Sequence, residues 1–274
     1  MTNNGESADR ARSVRERVNR THALEAAASL GGPDHTAATH RGGSGPPLVC
    51  LHGFAGTWHA WEPVLPALER HHDVLAVTLA GHNGGPPVAG GPDEAMLADA
   101  VEQAMDEAGF DVAHIVGHSL GGYVALQLAA RGRARSVVAF APAGGWASEH
   151  DTCPGEPLEF ASGLYKEARR SPHLWAATAL VLEEVGMGHA AGALPLIARA
   201  MQGGWTLDAE RIACPVRIGW GTEDACLPWP AAAARFRTDW LPNAEYVELE
   251  GVAHCPHIET PAATAQLILE VTRP

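Results

Sequence analysis

Val112-Ala113-His114-Ile115-Val116-Gly117-His118-Ser119-Leu120-Gly121-Gly122-Tyr123 decides how the rest of the chain is read. Residues 112–116 form a short apolar run with β-branched members, the pattern of a buried strand. From Tyr123 to Arg131 apolar residues recur at helical spacing and then meet Gly132. Between strand and helix stands Gly-x-Ser-x-Gly, the turn that presents a serine hydroxyl at the top of a sheet. Glycine flanks the serine because strand and helix backbones come too close there for a Cβ.

The chain has 274 residues, of which 46% are apolar, enough for one large α/β domain or a domain with an insertion. A formal charge of −13 excludes nucleic acid as the expected partner, since phosphate binding needs clustered Lys and Arg. No apolar run reaches the length of a membrane span, so no membrane partner is expected, and no secretory signal is apparent. The five cysteines, Cys50, Cys153, Cys214, Cys226 and Cys255, are scattered without a C-x-x-C pair. Reduced thiols and a cytoplasmic location are the simplest expectation.

Working outward, residues 1–34 form an arginine-rich extension with a thin apolar stripe, expected to be helical or loosely held and a candidate dimer contact. Strands are expected at residues 35–41, 48–51, 73–79, 136–140, 216–220 and 244–249. Helices are expected at 58–70, 93–109 with Asp93 as N-cap, 230–240 and 262–271. Strand and helix alternating over short connections imply an α/β fold, a mostly parallel central sheet with helices on both faces and sites at the strands' C-terminal ends. The alternation stops after Pro142, and residues 144–205 read as helical patches only. They are expected to be an inserted helical cap on a core made of residues 35–143 and 206–274.

A serine hydroxyl needs a base to take its proton and a third group to orient that base. In this order of elements the acid and the histidine follow the serine, each on a loop after a later strand. Asp224 follows the strand at 216–220 and His254 the strand at 244–249, so both reach the edge that carries Ser119. Glu223 and His257 are the neighbouring rivals. The shorter Asp224 holds an imidazole more rigidly, and His257 lies past the loop tip. An oxyanion needs two fixed donors. The backbone N–H of Leu120, at the start of the helix, is one candidate. The N–H of Phe54, in the His52-Gly53-Phe54 loop after the strand at 48–51, is the other.

With these motifs, and the run from His254 through Glu259-Thr260-Pro261, the chain resembles an α/β-hydrolase-fold serine enzyme over about residues 35–272. The resemblance implies Ser119 as nucleophile, His254 as base, Asp224 as orienting acid, and residues 144–205 as the cap that shapes substrate choice. It implies neither cofactor nor metal, and no zinc ligand set stands out. Related dehalogenases and epoxide hydrolases carry an aspartate at the elbow, which the serine here argues against. Relatives with such an insertion often carry an aspartate before Leu-x-Gly-His-Gly, where this chain has Thr78 and Asn83.

The expected reaction is hydrolysis of a carboxylic ester, thioester or lactone. C–C bond hydrolysis, cofactor-free haloperoxidase or perhydrolase chemistry, and a biosynthetic cyclase or lyase step are rivals with the same triad. A non-catalytic ligand-binding protein is the rival from another class. The expected partner is a small, largely apolar ester-like molecule, with Trp58, Trp146, Trp175 and Trp205 as candidate pocket residues.

Overall fold

The computed structural model describes residues 38–54, 56–82, 84–88, 94–145 and 205–273. The N-terminal extension, almost all of the expected cap, Trp146, Trp175, Asn83 and the Asp93 cap lie outside the described residues.

Seven strands form one sheet: β1 (Thr39–Gly43), β2 (Pro47–Leu51), β3 (Asp73–Val77), β4 (Ala113–His118), β5 (Ala134–Phe140), β6 (Val216–Gly221) and β7 (Glu245–Leu249), in the order β1-β3-β2-β4-β5-β6-β7. Only the β1–β3 pair is antiparallel. Among the described residues the α-helices are α1 (Leu65–Leu68), α2 (Glu94–Glu107), α3 (Leu120–Ala130), α4 (Pro256–Glu259) and α5 (Pro261–Thr272).

The inner strands β2 to β6 bury residues on both faces, so their apolar runs divide by period two. Val49, Leu51, Leu75, Val77, Ile115, Val137 and Ala139 face a core shared with Leu97, Val101 and Met105 of α2 and with α3. Leu48, Cys50, Val74, Ala76, Val116, Val138 and Phe140 face a second core with Trp58, Trp61, α1 and Ile268 of α5. In the parallel register Leu51 lies opposite Gly117, and Gly221 opposite Leu249. The ends of β2, β4, β6 and β7 therefore line up along one edge. Among the described residues no helix is long and apolar enough to cross a membrane.

Two expected helices are broken. Pro63 and Pro66 interrupt residues 58–70, leaving a 3-10 turn at Trp58–Trp61 and the single turn of α1. Residues 230–240 form a 3-10 turn at Ala231–Ala233 and a π turn at Phe236–Trp240. The Arg235 N–H leaves the helical ladder there to bond the Gly145 carbonyl at 2.7 Å. That bond belongs to a junction. Gly144 and Trp205 are so close that a Cβ on Gly144 would stand 2.8 Å from the Trp205 ring. The Tyr123 ring of α3 packs tilted against Trp205, with centroids 4.2 Å apart, and its hydroxyl donates to the Thr206 carbonyl.

Candidate active site

Ser119 sits between β4 and α3 with φ 51° and ψ −114°, a left-handed conformation that a non-glycine residue adopts only under constraint. The constraint is crowding. A Cβ on Gly121 would stand 2.3 Å from the Leu51 carbonyl oxygen, and one on Gly117 2.2 Å from the Gly121 carbonyl oxygen. The Ser119 N–H donates to Phe140 at 2.9 Å, and its carbonyl accepts from Tyr123 and Ala143. Leu120 opens α3, where the first backbone N–H groups have no intrahelical acceptor.

The loop after β2 lies against this turn. A Cβ on Gly53 would be 3.3 Å from Cβ of Ser119. His52, fully buried, staples the loop with both ring nitrogens. Nδ1–H donates to the Gly53 carbonyl at 2.6 Å, and Nε2 accepts the Leu79 N–H at 2.9 Å. Two partners of opposite polarity require the neutral ring, and burial holds its pKa well below the usual histidine range. Gly56 N–H adds a bond to the same Gly53 carbonyl, closing the turn that contains Phe54.

Asp224 and His254 meet. His254 Nδ1 is 2.7 Å from Asp224 Oδ2, with both residues buried. Asp224 Oδ1 accepts the N–H groups of Cys226 at 2.9 Å and Leu227 at 2.7 Å. A carboxylate that accepts from both sides leaves the proton on His254 Nδ1 and the lone pair on Nε2. Glu223, the rival acid, is exposed and makes no bond to the ring. The loops after β6 and β7 are joined by Glu223 N–H to Val252 O at 3.0 Å and by Gly251 N–H to Thr222 Oγ1 at 2.9 Å. Glu259 grips the loop on both sides of His254, accepting the N–H groups of Ala253 and Cys255, each at 3.0 Å.

His118 joins the serine turn to the histidine loop: its Nε2 is 2.9 Å from the His254 carbonyl oxygen. Sequence reasoning quoted His118 and His52 inside their motifs but assigned neither a contact. For His52 the signal was its place directly after a strand and before glycine. For His118 there was none, because its acceptor lies 136 residues away. The other rival, His257, is buried in α4 against Trp61, and burial lowers it to about 3.

Of the four candidate pocket tryptophans, the two among the described residues, Trp58 and Trp205, occupy core positions. Trp58 is buried in the second core, stacked on His59 at 3.7 Å and near His40 at 5.0 Å. The Trp58 backbone N–H donates to Thr78 Oγ1 at 3.2 Å, so Thr78 has a structural partner of its own. Trp205 is buried against Tyr123 and Gly144. Among the described residues no group of three or more His, Cys, Asp or Glu is arranged to hold a metal.

A family model described as "Alpha/beta hydrolase family" matches residues 48–267. The chain is 33% identical over 198 residues to the epoxide hydrolase EphH of Mycobacterium tuberculosis, an alignment covering 64% of this chain and 92% of that protein. The fold is similar to the enol-lactonase from Burkholderia xenovorans LB400, with a TM-score of 0.69, 21% identity, and coverage of 85% of this chain and 95% of that one. A meta-cleavage product hydrolase from Pseudomonas fluorescens is equally similar in fold, with a TM-score of 0.69, 20% identity, and coverage of 88% and 97%.

Proposed function

The chain belongs to the alpha/beta hydrolase family, and from that premise we propose that it is a serine hydrolase cleaving a carboxylic ester, thioester or lactone through an acyl-enzyme on Ser119. What supports this reading is the buried Asp224–His254 pair, its loop bonded through His118 to the turn that holds Ser119 at φ 51° before a helix N-terminus.

In the mechanism, His254 Nε2 takes the Ser119 proton as Oγ attacks the acyl carbon, and Asp224 stabilises the imidazolium through Nδ1–H. The N–H groups of Leu120 and Phe54 receive the oxyanion, the first aided by the α3 dipole. Collapse expels the alcohol or thiol, which takes the proton back from Nε2. Water then repeats the sequence on the acyl-enzyme and frees the acid. No step calls for a metal or an organic cofactor.

Epoxide opening, suggested by the name of one relative, fits a serine poorly. Attack by Oγ on an epoxide carbon would form an ether, and an ether has no acyl carbon at which water can release the enzyme. An acyl substrate makes an ester on Ser119, which the same site can hydrolyse.

The test is covalent labelling with a fluorophosphonate and turnover of short p-nitrophenyl esters. Wild-type protein should do both, and Ser119→Ala should lose both by at least about 10⁴-fold while keeping its circular dichroism. Protein that neither labels nor turns over an ester, or a Ser119→Ala variant that stays active, overturns the proposal.

A further inference from the structure

The proposed mechanism leaves one side chain at its centre unused. His118 is buried, and its ring meets three separate pieces of the site. Its centroid lies 4.7 Å from that of His254 and 4.7 Å from that of His257 in α4. On another side the Gly53 backbone is so close that a Cβ there would stand 2.7 Å from Nδ1. A carbonyl oxygen only accepts, so the 2.9 Å contact with His254 requires the proton on Nε2.

We propose that His118 is a positioning residue for the hydrolytic reaction: its Nε2–H, held on the His254 carbonyl, keeps the loop bearing the base in register with the turn bearing the nucleophile. This rests on the reading of Ser119, Asp224 and His254 given above. The other anchors fix the loop to different neighbours. Glu259 ties it to α4, and Asp224 ties the ring to the loop after β6. The His118 bond runs instead to the residue covalently joined to Ser119. A shift at this junction changes the distance between nucleophile and base and leaves the acid–histidine pair intact. Burial keeps His118 neutral, so it adds no positive charge beside His254 when that ring takes up the serine proton.

The test uses full-length protein and the second-order rate of fluorophosphonate labelling, with kcat and KM for p-nitrophenyl butyrate counted per titrated active site. His118→Asn keeps a polar side chain but stops short of the carbonyl, and His118→Leu fills the space without a donor. Both should label and turn over about 10–100-fold more slowly per site, with KM within about threefold of wild type. His118→Gln, whose amide reaches the position of Nε2, should recover to within about fivefold. A purely structural role would lower the number of titratable sites and leave the rate per site unchanged.

Should His118→Leu fail to fold, the Asn and Gln pair decides. Asn at the wild-type rate per site, or Gln no faster than Asn, overturns the proposal. His254→Gln separates the two readings. If it abolishes labelling while the His118 variants stay at wild-type rates, only the positioning role falls. If His254→Gln labels normally, or the wild type does not label, the triad reading and this one fall together.

Discussion

Gly53→Ala is a single-methyl probe of the site. The added carbon would stand 2.7 Å from His118 Nδ1, 3.0 Å from its Cε1 and 3.3 Å from Ser119 Cβ. Ordinary van der Waals contact begins near 3.4 Å, so a gap of about 0.7 Å has to open in a close-packed interior. The His118 ring is not free to swing, being bonded to the His254 carbonyl and packed on His257. The loop resists as well, because the Gly53 carbonyl accepts from both His52 Nδ1–H and Gly56 N–H. The displacement is therefore shared between the Phe54 amide and the His254 loop.

A misplacement of about 1 Å costs on the order of 10²-fold, and loss of one oxyanion donor about 10²–10³-fold. Fluorophosphonate labelling and kcat should accordingly fall on the order of 10²-fold. The overpacking should cost about 1–3 kcal/mol of stability, leaving the variant folded. Labelling kinetics beside a urea melt separate the two effects. A folded Gly53→Ala protein within about twofold of the wild-type rate would refute the close approach of this loop to the serine turn.

Asp224 allows a second dissection. Asp224→Asn keeps an acceptor for the Cys226 and Leu227 N–H groups but no longer orients His254. It should lose about 10³–10⁴-fold in kcat with a near-native urea midpoint. Asp224→Ala also strands two buried donors, and its stability should drop by about 1–3 kcal/mol per group; equal urea midpoints for Asn and Ala would contradict this. Stability should also depend on pH through the buried histidines. Burial lowers His82 and His114 to about 4 and His257 to about 3, against 6.5 in the unfolded chain. Below 6.5 the unfolded chain binds protons that the folded one does not. Stability is thus complete above that pH and lost as it falls, by about 3 kcal/mol each for His82 and His257 at pH 4.5. A urea midpoint flat from pH 7.5 to 4.5 would sink this account.

The inner strands were legible as apolar runs ended by polar or glycine-rich chain, the edge strand β1 (THRGG) carries no such run, and all seven were expected within about four residues of where they lie. Ser119, Asp224 and His254 could be named as candidates because each follows a strand, which fixes the edge on which it emerges. What stayed hidden was of two kinds. Helix integrity at 58–70 and 230–240 turned on prolines and on one backbone bond from Arg235 to Gly145, which apolar periodicity does not register. The supports of the site, namely His118 on the His254 carbonyl, His52 on the Gly53 loop and Glu259 on two amides, are contacts to backbone. Backbone has no side-chain identity, so such partners cannot be named from a sequence even where, as for His52, the residue's own position draws notice.

The junction of Gly144–Gly145 with Trp205–Thr206 bears on how such a chain diversifies. The described chain leaves the core two residues after Ala143, whose N–H bonds the Ser119 carbonyl, and returns where Tyr123 holds Thr206. Exit and re-entry thus form a single hinge-like collar on α3, sealed by Gly144 on Trp205 and Arg235 on Gly145. Residues 146–204 can be exchanged for a stretch of different length without moving either end of the collar, since closing a loop whose ends already touch costs little more as it lengthens. Recombination at this one point would trade residues 146–204 while leaving Ser119, His254 and Asp224 in place.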